Sequence, residues 1–254
     1  IGRQIVETIE AHRAAPPGEA RDRALALLRQ VGLPDPSRAF ASYPHQMSGG
    51  MCQRAMIAIA LAAGPRLLIA DEPTTALDVT IQAQILDLLK QLRDDHGMAI
   101  LLVTHDLGVV AETCDRVAVM YAGELVETGP AAAVLRAPRH PYTRGLLDAL
   151  PQAGAGGALI PIEGTVPAPD ARPAGCVFAP RCPRSDTLCT RLRPMLGAEG
   201  TDRAVACHHP VSRTVPDVAR HISRPVADGD AVLAISGLRK RFAIRGQGLI
   251  GKGR

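Results

Sequence analysis

The chain has 254 residues, 46% of them hydrophobic, with no Trp, three Tyr, three Phe and a net charge of +4. That length and apolar content can bury a core, and the charge is too small to argue for a nucleic-acid partner. No apolar run reaches the length that spans a bilayer, which leaves a soluble or peripheral protein. Along the chain, apolar spacing predicts helices over residues 3–13 and 18–31, the second stopped by Gly32 and Pro34. "ASYPHQMSGG" reads as a loop, followed by a helix over 48–63. "RLLIADEP" reads as a short buried strand, 80–94 as an amphipathic helix and "MAILLVTHD" as a second continuously apolar strand. "RVAVMYAGELVETG" reads as paired strands turning at Ala122-Gly123. Apolar strands alternating with helices predict an α/β layer on a parallel sheet. From about 150 the Pro/Gly/Ala-rich run predicts an irregular linker, then a cysteine segment over 176–209 and a second linker near 210–229. "AVLAISGLRKRFAIR" reads as a strand that starts something new, and its charges, with those of the glycine-rich tail, read as solvated.

Chemistry concentrates first in "LLIADEPTTALD". Asp71 stands at the carboxyl end of its strand, where open α/β sheets bind ligands, and suits Mg²⁺ on a nucleotide. Glu72 next to it could polarise an attacking water. "MSGGMCQR" puts Ser48 at a helix N-cap with Gly49 and Gly50 in the first turn, an arrangement open to phosphate; an ordinary Ser-Gly turn is the plainer reading. "LLVTHD" places His105 at the end of the second strand, where it could meet a γ-phosphate or serve structure alone.

Taken in this order and spacing, these residues resemble the ATP-binding-cassette ATPases. The resemblance makes Ser48, Gly49, Gly50 and Met51 the signature loop, and Asp71 and Glu72 the Walker B acid and catalytic base. Thr75 to Asp78 ("TALD") match the D-loop, with Asp78 near nucleotide, and His105 the switch histidine. Tyr43 to Gln46 lie where the family meets its membrane partner. Met51 replaces a common glutamine, and Cys52 stands where the peptide-transporter branch usually has Arg. "HPYTRGLLDALP" (140–151) and "GCVFAPRCPRSDTLC…VACHHP" look like the C-terminal extension of oligopeptide, dipeptide and nickel importer ATPases.

The last four cysteines, Cys176, Cys182, Cys189 and Cys207, are spaced C-x₅-C-x₆-C-x₁₇-C, unlike the C-x₂-C pairs of most zinc fingers. Four thiolates suit an iron–sulfur cluster, which relatives are thought to carry here as a 4Fe–4S centre; zinc, free thiols or a disulfide are the alternatives. Cys52 and Cys114 read as small buried hydrophobes.

The resemblance implies the α/β fold of the rear half of an ABC-type (P-loop NTPase) nucleotide-binding domain with part of its helical subdomain, plus an irregular cysteine-bearing C-terminal extension. It divides the chain into a cassette half (1–128), the extension (129–224) and the start of a second nucleotide-binding domain (225–254). ATP and Mg²⁺ are the implied ligands. Transmembrane permease subunits, a second cassette and, indirectly, a solute-binding protein are the implied partners, at the cytoplasmic face of the membrane. The phosphate-binding loop G-x-x-x-x-G-K-S/T is not found complete: in "GQGLIGKGR", Gly246, Gly251 and Lys252 fit, but Gly253 stands where a hydroxyl must ligate Mg²⁺. The expectation is an internal fragment of a tandem two-cassette ATPase, inactive and marginally stable alone. The competing expectations are a soluble cassette ATPase outside transport and a non-enzymatic, metal-bearing interaction module.

Overall fold

A computed structural model describes residues 1–12, 18–150 and 161–211. The strand expected over the final stretch, the tail "GQGLIGKGR", residues 151–160 of the first linker and most of the second lie outside the described residues. Helices α1 (Gly2–His12), α2 (Glu19–Gln30), α3 (Pro36–Ala41) and α4 (Gly49–Ala62) form the first half, followed by strand β1 (Leu67–Asp71), helix α5 (Val79–His96) and strand β2 (Ala99–Val103). Local chemistry sets their ends. Gly32 (φ 74°) follows α2 and Gly97 (φ 59°) closes α5 in the left-handed region. Asp78 begins α5 by accepting the Ile81 N–H at 2.9 Å.

The apolar faces of these helices meet in one core around Ile5, Ile9, Ala24, Leu28, Ala58, Ile85 and Leu92. β1 and β2 pair in parallel, Leu67 opposite Ala99 through Asp71 opposite Val103. The two strands are not buried on both faces as their apolar sequence suggested. Leu68 joins the helical core, whereas Leu67 (51% exposed), Ile69 (63%), Leu101 (52%) and Val103 (46%) face outward. Period-2 alternation explains the split: packing against the core covers one face, and among the described residues nothing seals the other.

After α6 (Leu107–Thr113), strands β3 (Arg116–Tyr121) and β4 (Glu124–Pro130) form the expected hairpin. Ala122 (φ 48°) and Gly123 (φ 80°) both take positive φ, the geometry whose twist matches a two-residue hairpin. Helices α7 (Ala131–Arg136), α8 (Pro141–Asp148) and α9 (Thr187–Arg191) follow, with short strands β5 (Gly197–Glu199) and β6 (Arg203–Val205). These complete an antiparallel sheet of order β3-β4-β6-β5. The segment expected to be only an irregular extension thus supplies two strands to this sheet.

A second core lies here. Phe178, 2% exposed, packs edge-on against Tyr121 (centroids 5.1 Å apart) and against Tyr142 (5.5 Å). Glu127 is fully buried and fully engaged. Its carboxylate accepts from Arg203 Nη2 (2.7 Å) and from the backbone N–H groups of Arg139 (2.8 Å) and His140 (2.9 Å). One buried charge therefore joins β4, the loop before α8 and β6.

Candidate functional site

At the carboxyl end of β1 the ladder continues one residue further, Glu72 donating its backbone N–H to Val103 O at 2.9 Å. Glu72 then turns at φ 44°, a left-handed conformation unusual for a residue with a side chain. The turn aims its carboxylate across the strand ends. His105 Nδ1 lies 2.9 Å from Glu72 Oε1, and Thr75 donates its hydroxyl to Glu72 Oε2 at 2.6 Å. Thr75 also returns its backbone N–H to Glu72 O (3.1 Å).

The Thr75 hydroxyl, then His105, hold the Glu72 carboxyl below its ordinary value, and Glu72 in turn raises His105. A carboxylate acceptor at Nδ1 requires that nitrogen to carry the proton, which leaves Nε2 as the unprotonated nitrogen of a neutral ring. The site is open, both side chains being well exposed. The histidine's own loop is tied down behind it: Asp106 caps α6 through Gly108 N (2.8 Å) and Val109 N (3.2 Å), and Gln82 reaches Asp106 from α5 (3.4 Å).

Asp71, Glu72, Thr75 and His105 therefore gather at the ends of two paired strands. Ser48 to Met51 and Asp78 form a second patch, where the N-termini of α4 and α5 meet. Ser48 Oγ accepts the Met51 N–H at 3.3 Å, and a Cβ on Gly50 would lie 2.8 Å from Ile81 Cγ2. Gly50 thus serves close packing on α5 as well as leaving backbone exposed. Cys52, read as buried, is half-exposed, its thiol 3.4 Å from Pro44 O; Cys114 is half-exposed too.

The third group is the cysteine segment. All six cysteines are free thiols. Cys176, Cys182, Cys189 and Cys207 line one cavity with His140, Phe178, His208 and His209. Gly175 abuts the Cys189 carbonyl too closely for any Cβ, and Cys176 donates its N–H to that carbonyl at 2.8 Å. Burial pushes Cys182, Cys189 and Cys207 up, Cys207 to about 11, with mutual proximity adding to it. Two donors that the cysteine spacing did not single out, Asp186 and His209, join Cys189 within 4.8 Å of one another.

Residues 3–75 match the ABC transporter family model, and residues 126–189 match that of the oligopeptide/dipeptide transporter, C-terminal region. The chain is thus similar to ABC transporter ATP-binding proteins. It is 51% identical over 212 residues to the dipeptide transport ATP-binding protein DppD of Escherichia coli, covering 83% of this chain and 65% of that one. DppD of Haemophilus influenzae is 49% identical (84% and 64% covered), and a putative peptide import ATP-binding protein of Brucella abortus 51% (82% and 62%). The chain thus spans just under two thirds of the length of these ABC transporter relatives. Among solved structures it is similar to the dimeric bacterial ABC transporter cassette MJ0796, 37% identical, covering 50% of this chain and 54% of that one at a TM-score of 0.44. Among the described residues no helix is long and apolar enough to cross a membrane.

Proposed function

We propose that this chain is the ATP-binding and ATP-hydrolysing part of an importer for peptides, or for nickel, coupling hydrolysis to transport. The observation that carries the reading is the Glu72 carboxylate, held between Thr75 and His105 at the ends of β1 and β2, beside Asp71. A strand-end carboxylate beside an open pair of acid and imidazole fits Mg²⁺ carried by a nucleotide; Asp71 would hold it. Bound Mg²⁺-ATP supplies the phosphoryl group that passes to water. Glu72 accepts the proton of that water: its two oxygens retain lone pairs beyond those that Thr75 and His105 use. His105, anchored through Nδ1, presents Nε2 towards the terminal phosphate. Ser48, Gly49, Gly50 and Met51, with Asp78, bind the nucleotide of a second cassette through the helix N-terminus.

The partners in this reading are transmembrane permease subunits, met through Tyr43 to Gln46, and a second cassette, with a solute-binding protein acting on the permease. The place is the cytoplasmic face of the membrane. Residues 1–128 serve as part of the nucleotide-binding domain and 129–224 as its extension. Since the 254 residues contain no complete phosphate-binding loop, the isolated polypeptide is expected to bind ATP weakly and to hydrolyse none. The test is Glu72→Gln in the assembled transporter, with ATP hydrolysis and solute uptake measured together. Both should fall by about 100-fold or more. Uptake that survives the substitution overturns the reading.

A second reading concerns the cysteines: Cys176, Cys182, Cys189 and Cys207 hold an iron–sulfur cluster, with zinc the alternative. Its support is the resemblance to importer ATPases that are thought to carry such a cluster at this position. The four thiols line one cavity, yet no three lie within 4.8 Å of one another, whereas thiolates on one zinc stand about 3.8 Å apart. Such a cluster would add a structural or electron-accepting centre. Anaerobic absorbance and iron content test it, and colourless, iron-free protein overturns it.

A further inference from the structure

We propose that His140 donates a hydrogen bond from its Nε2–H to a sulfur of the iron–sulfur cluster proposed for Cys176, Cys182, Cys189 and Cys207, and so sets the reduction potential of that cluster. The inference rests on the cluster reading and adds to it a residue that the cysteine spacing does not reveal.

Among the described residues the buried polar or charged ones are Glu127, His140 and Thr143. His140, 1% exposed, belongs to the wall of the thiol cavity. Its Nδ1 accepts the Tyr142 N–H at 3.0 Å, and a ring nitrogen that accepts carries no hydrogen, so the proton sits on Nε2. Among the described residues nothing accepts a hydrogen bond from that Nε2. A buried N–H without an acceptor is rare and costly, and this one stands in a wall otherwise rich in sulfur. The ring is also held in place. The His140 backbone N–H donates to Glu127 Oε2 at 2.9 Å, Phe178 packs against the ring with centroids 5.8 Å apart, and Pro141 restricts the backbone of the residue before it.

The cavity suits the group. No three of its thiols lie within 4.8 Å of one another; a single ion needs closer ligands, whereas four irons space their cysteines more widely. Against the desolvation that raises Cys182, Cys189 and Cys207, the backbone N–H groups of Arg184, Asp186 and His209 respectively favour the thiolates that iron requires. His208 and His209 line the cavity too, but their Nε2 atoms lie 2.9 Å from Leu192 O and from Asp186 Oδ2. His140 is left as the ring whose Nε2–H is uncommitted. A donor at sulfur stabilises the reduced cluster, whose sulfurs carry more negative charge, more than the oxidised one, and raises the potential. The low dielectric of a buried cavity strengthens the effect. The plainer account, in which His140 only caps α8 and fills the core, predicts a potential that does not depend on Nε2.

The test reconstitutes the full chain with iron and sulfide under anaerobic conditions, counts both per chain, and titrates the cluster with dithionite. His140→Asn keeps an oxygen to cap α8 but loses the donor. Its cluster should be about tenfold harder to reduce, a potential lower by about 59 mV for one electron, in line with the effects of outer-shell partners. His140→Gln, whose amide can stand at the Nε2 position, should restore part of the difference although it loses the cap. With ¹⁵N-labelled histidine, pulsed EPR of the reduced cluster should show coupling to a histidine nitrogen that survives His208→Gln combined with His209→Gln. Should His140→Asn hold no cluster, that coupling decides. A potential unchanged in His140→Asn, or no coupling once both other histidines are replaced, overturns this proposal and leaves the cluster reading standing. Failure of the unaltered chain to take up iron and sulfide overturns the cluster reading, and this proposal with it.

Discussion

The strand-end site and the β3-β4-β6-β5 region solve opposite problems. Around Glu72 the polar groups are exposed and the bonds few, so the carboxylate is aimed but reachable. Around Glu127 the polar groups are sealed, and the bonds come from 12, 13 and 76 residues along the chain, the last from Arg203. A charge proposed to meet a ligand is oriented by two hydrogen bonds and left in water. A charge that only joins elements can be buried, because both of its oxygens have donors, one of them a guanidinium.

This contrast makes its largest prediction at Glu127. Glu127→Ala would leave the Arg203 guanidinium and two backbone N–H groups without their acceptor, at a cost of about 3–5 kcal/mol. Denaturant unfolding of the purified chain measures it. A loss no greater than that of a surface substitution would erase the difference between the two regions.

The next effect is one of pH. His140 is 1% exposed, accepts the Tyr142 N–H through Nδ1 (3.0 Å), and burial lowers it from 6.5 to about 4. Its folded form stays neutral where the unfolded chain takes up a proton, so stability is present above about pH 6.5 and is lost as pH falls towards 4. The loss is about 3 kcal/mol over that window. His140→Asn, which can still cap α8, should flatten that slope in unfolding curves recorded at several pH values. An unchanged slope would place the acid sensitivity elsewhere.

The smallest effect belongs to the open region. Ser48→Ala removes the cap on α4, whose acceptor meets Met51 N at 3.3 Å, and should cost about 1 kcal/mol. A loss as large as that of Glu127→Ala would mean that the exposed patch carries as much of the fold as the buried one.

Much of the first half was legible because its signals are local. Ser48 and Asp78 announce their helices by lying just before them, Gly97 ends α5 with a conformation that glycine favours, and Ala122-Gly123 turns the hairpin. Helices α3, α6 and α7 span six or seven residues each, too few turns for an apolar period to emerge, and the three-residue strands β5 and β6 are shorter still. The exposed face of β1 and β2 was misread because both faces are apolar, and periodicity cannot tell which one the core will cover. The contact of Thr75 with Glu72 spans only three residues, yet it depends on the left-handed turn at Glu72, which the residue type disfavours.

The sequence by itself determined α1, α2, α4, α5, β1 and β2, the chemical types at their ends and the kinship with ABC transporters, since capping, alternation and motif spacing act within a few residues. Tertiary structure alone decided the partnerships: His105 with Glu72 across 33 residues, His209 with Asp186 across 23, and Arg203 with Glu127. A side chain carries its donors and acceptors wherever it stands, but which of them meet is fixed only when the cores close and bring distant segments within hydrogen-bond reach.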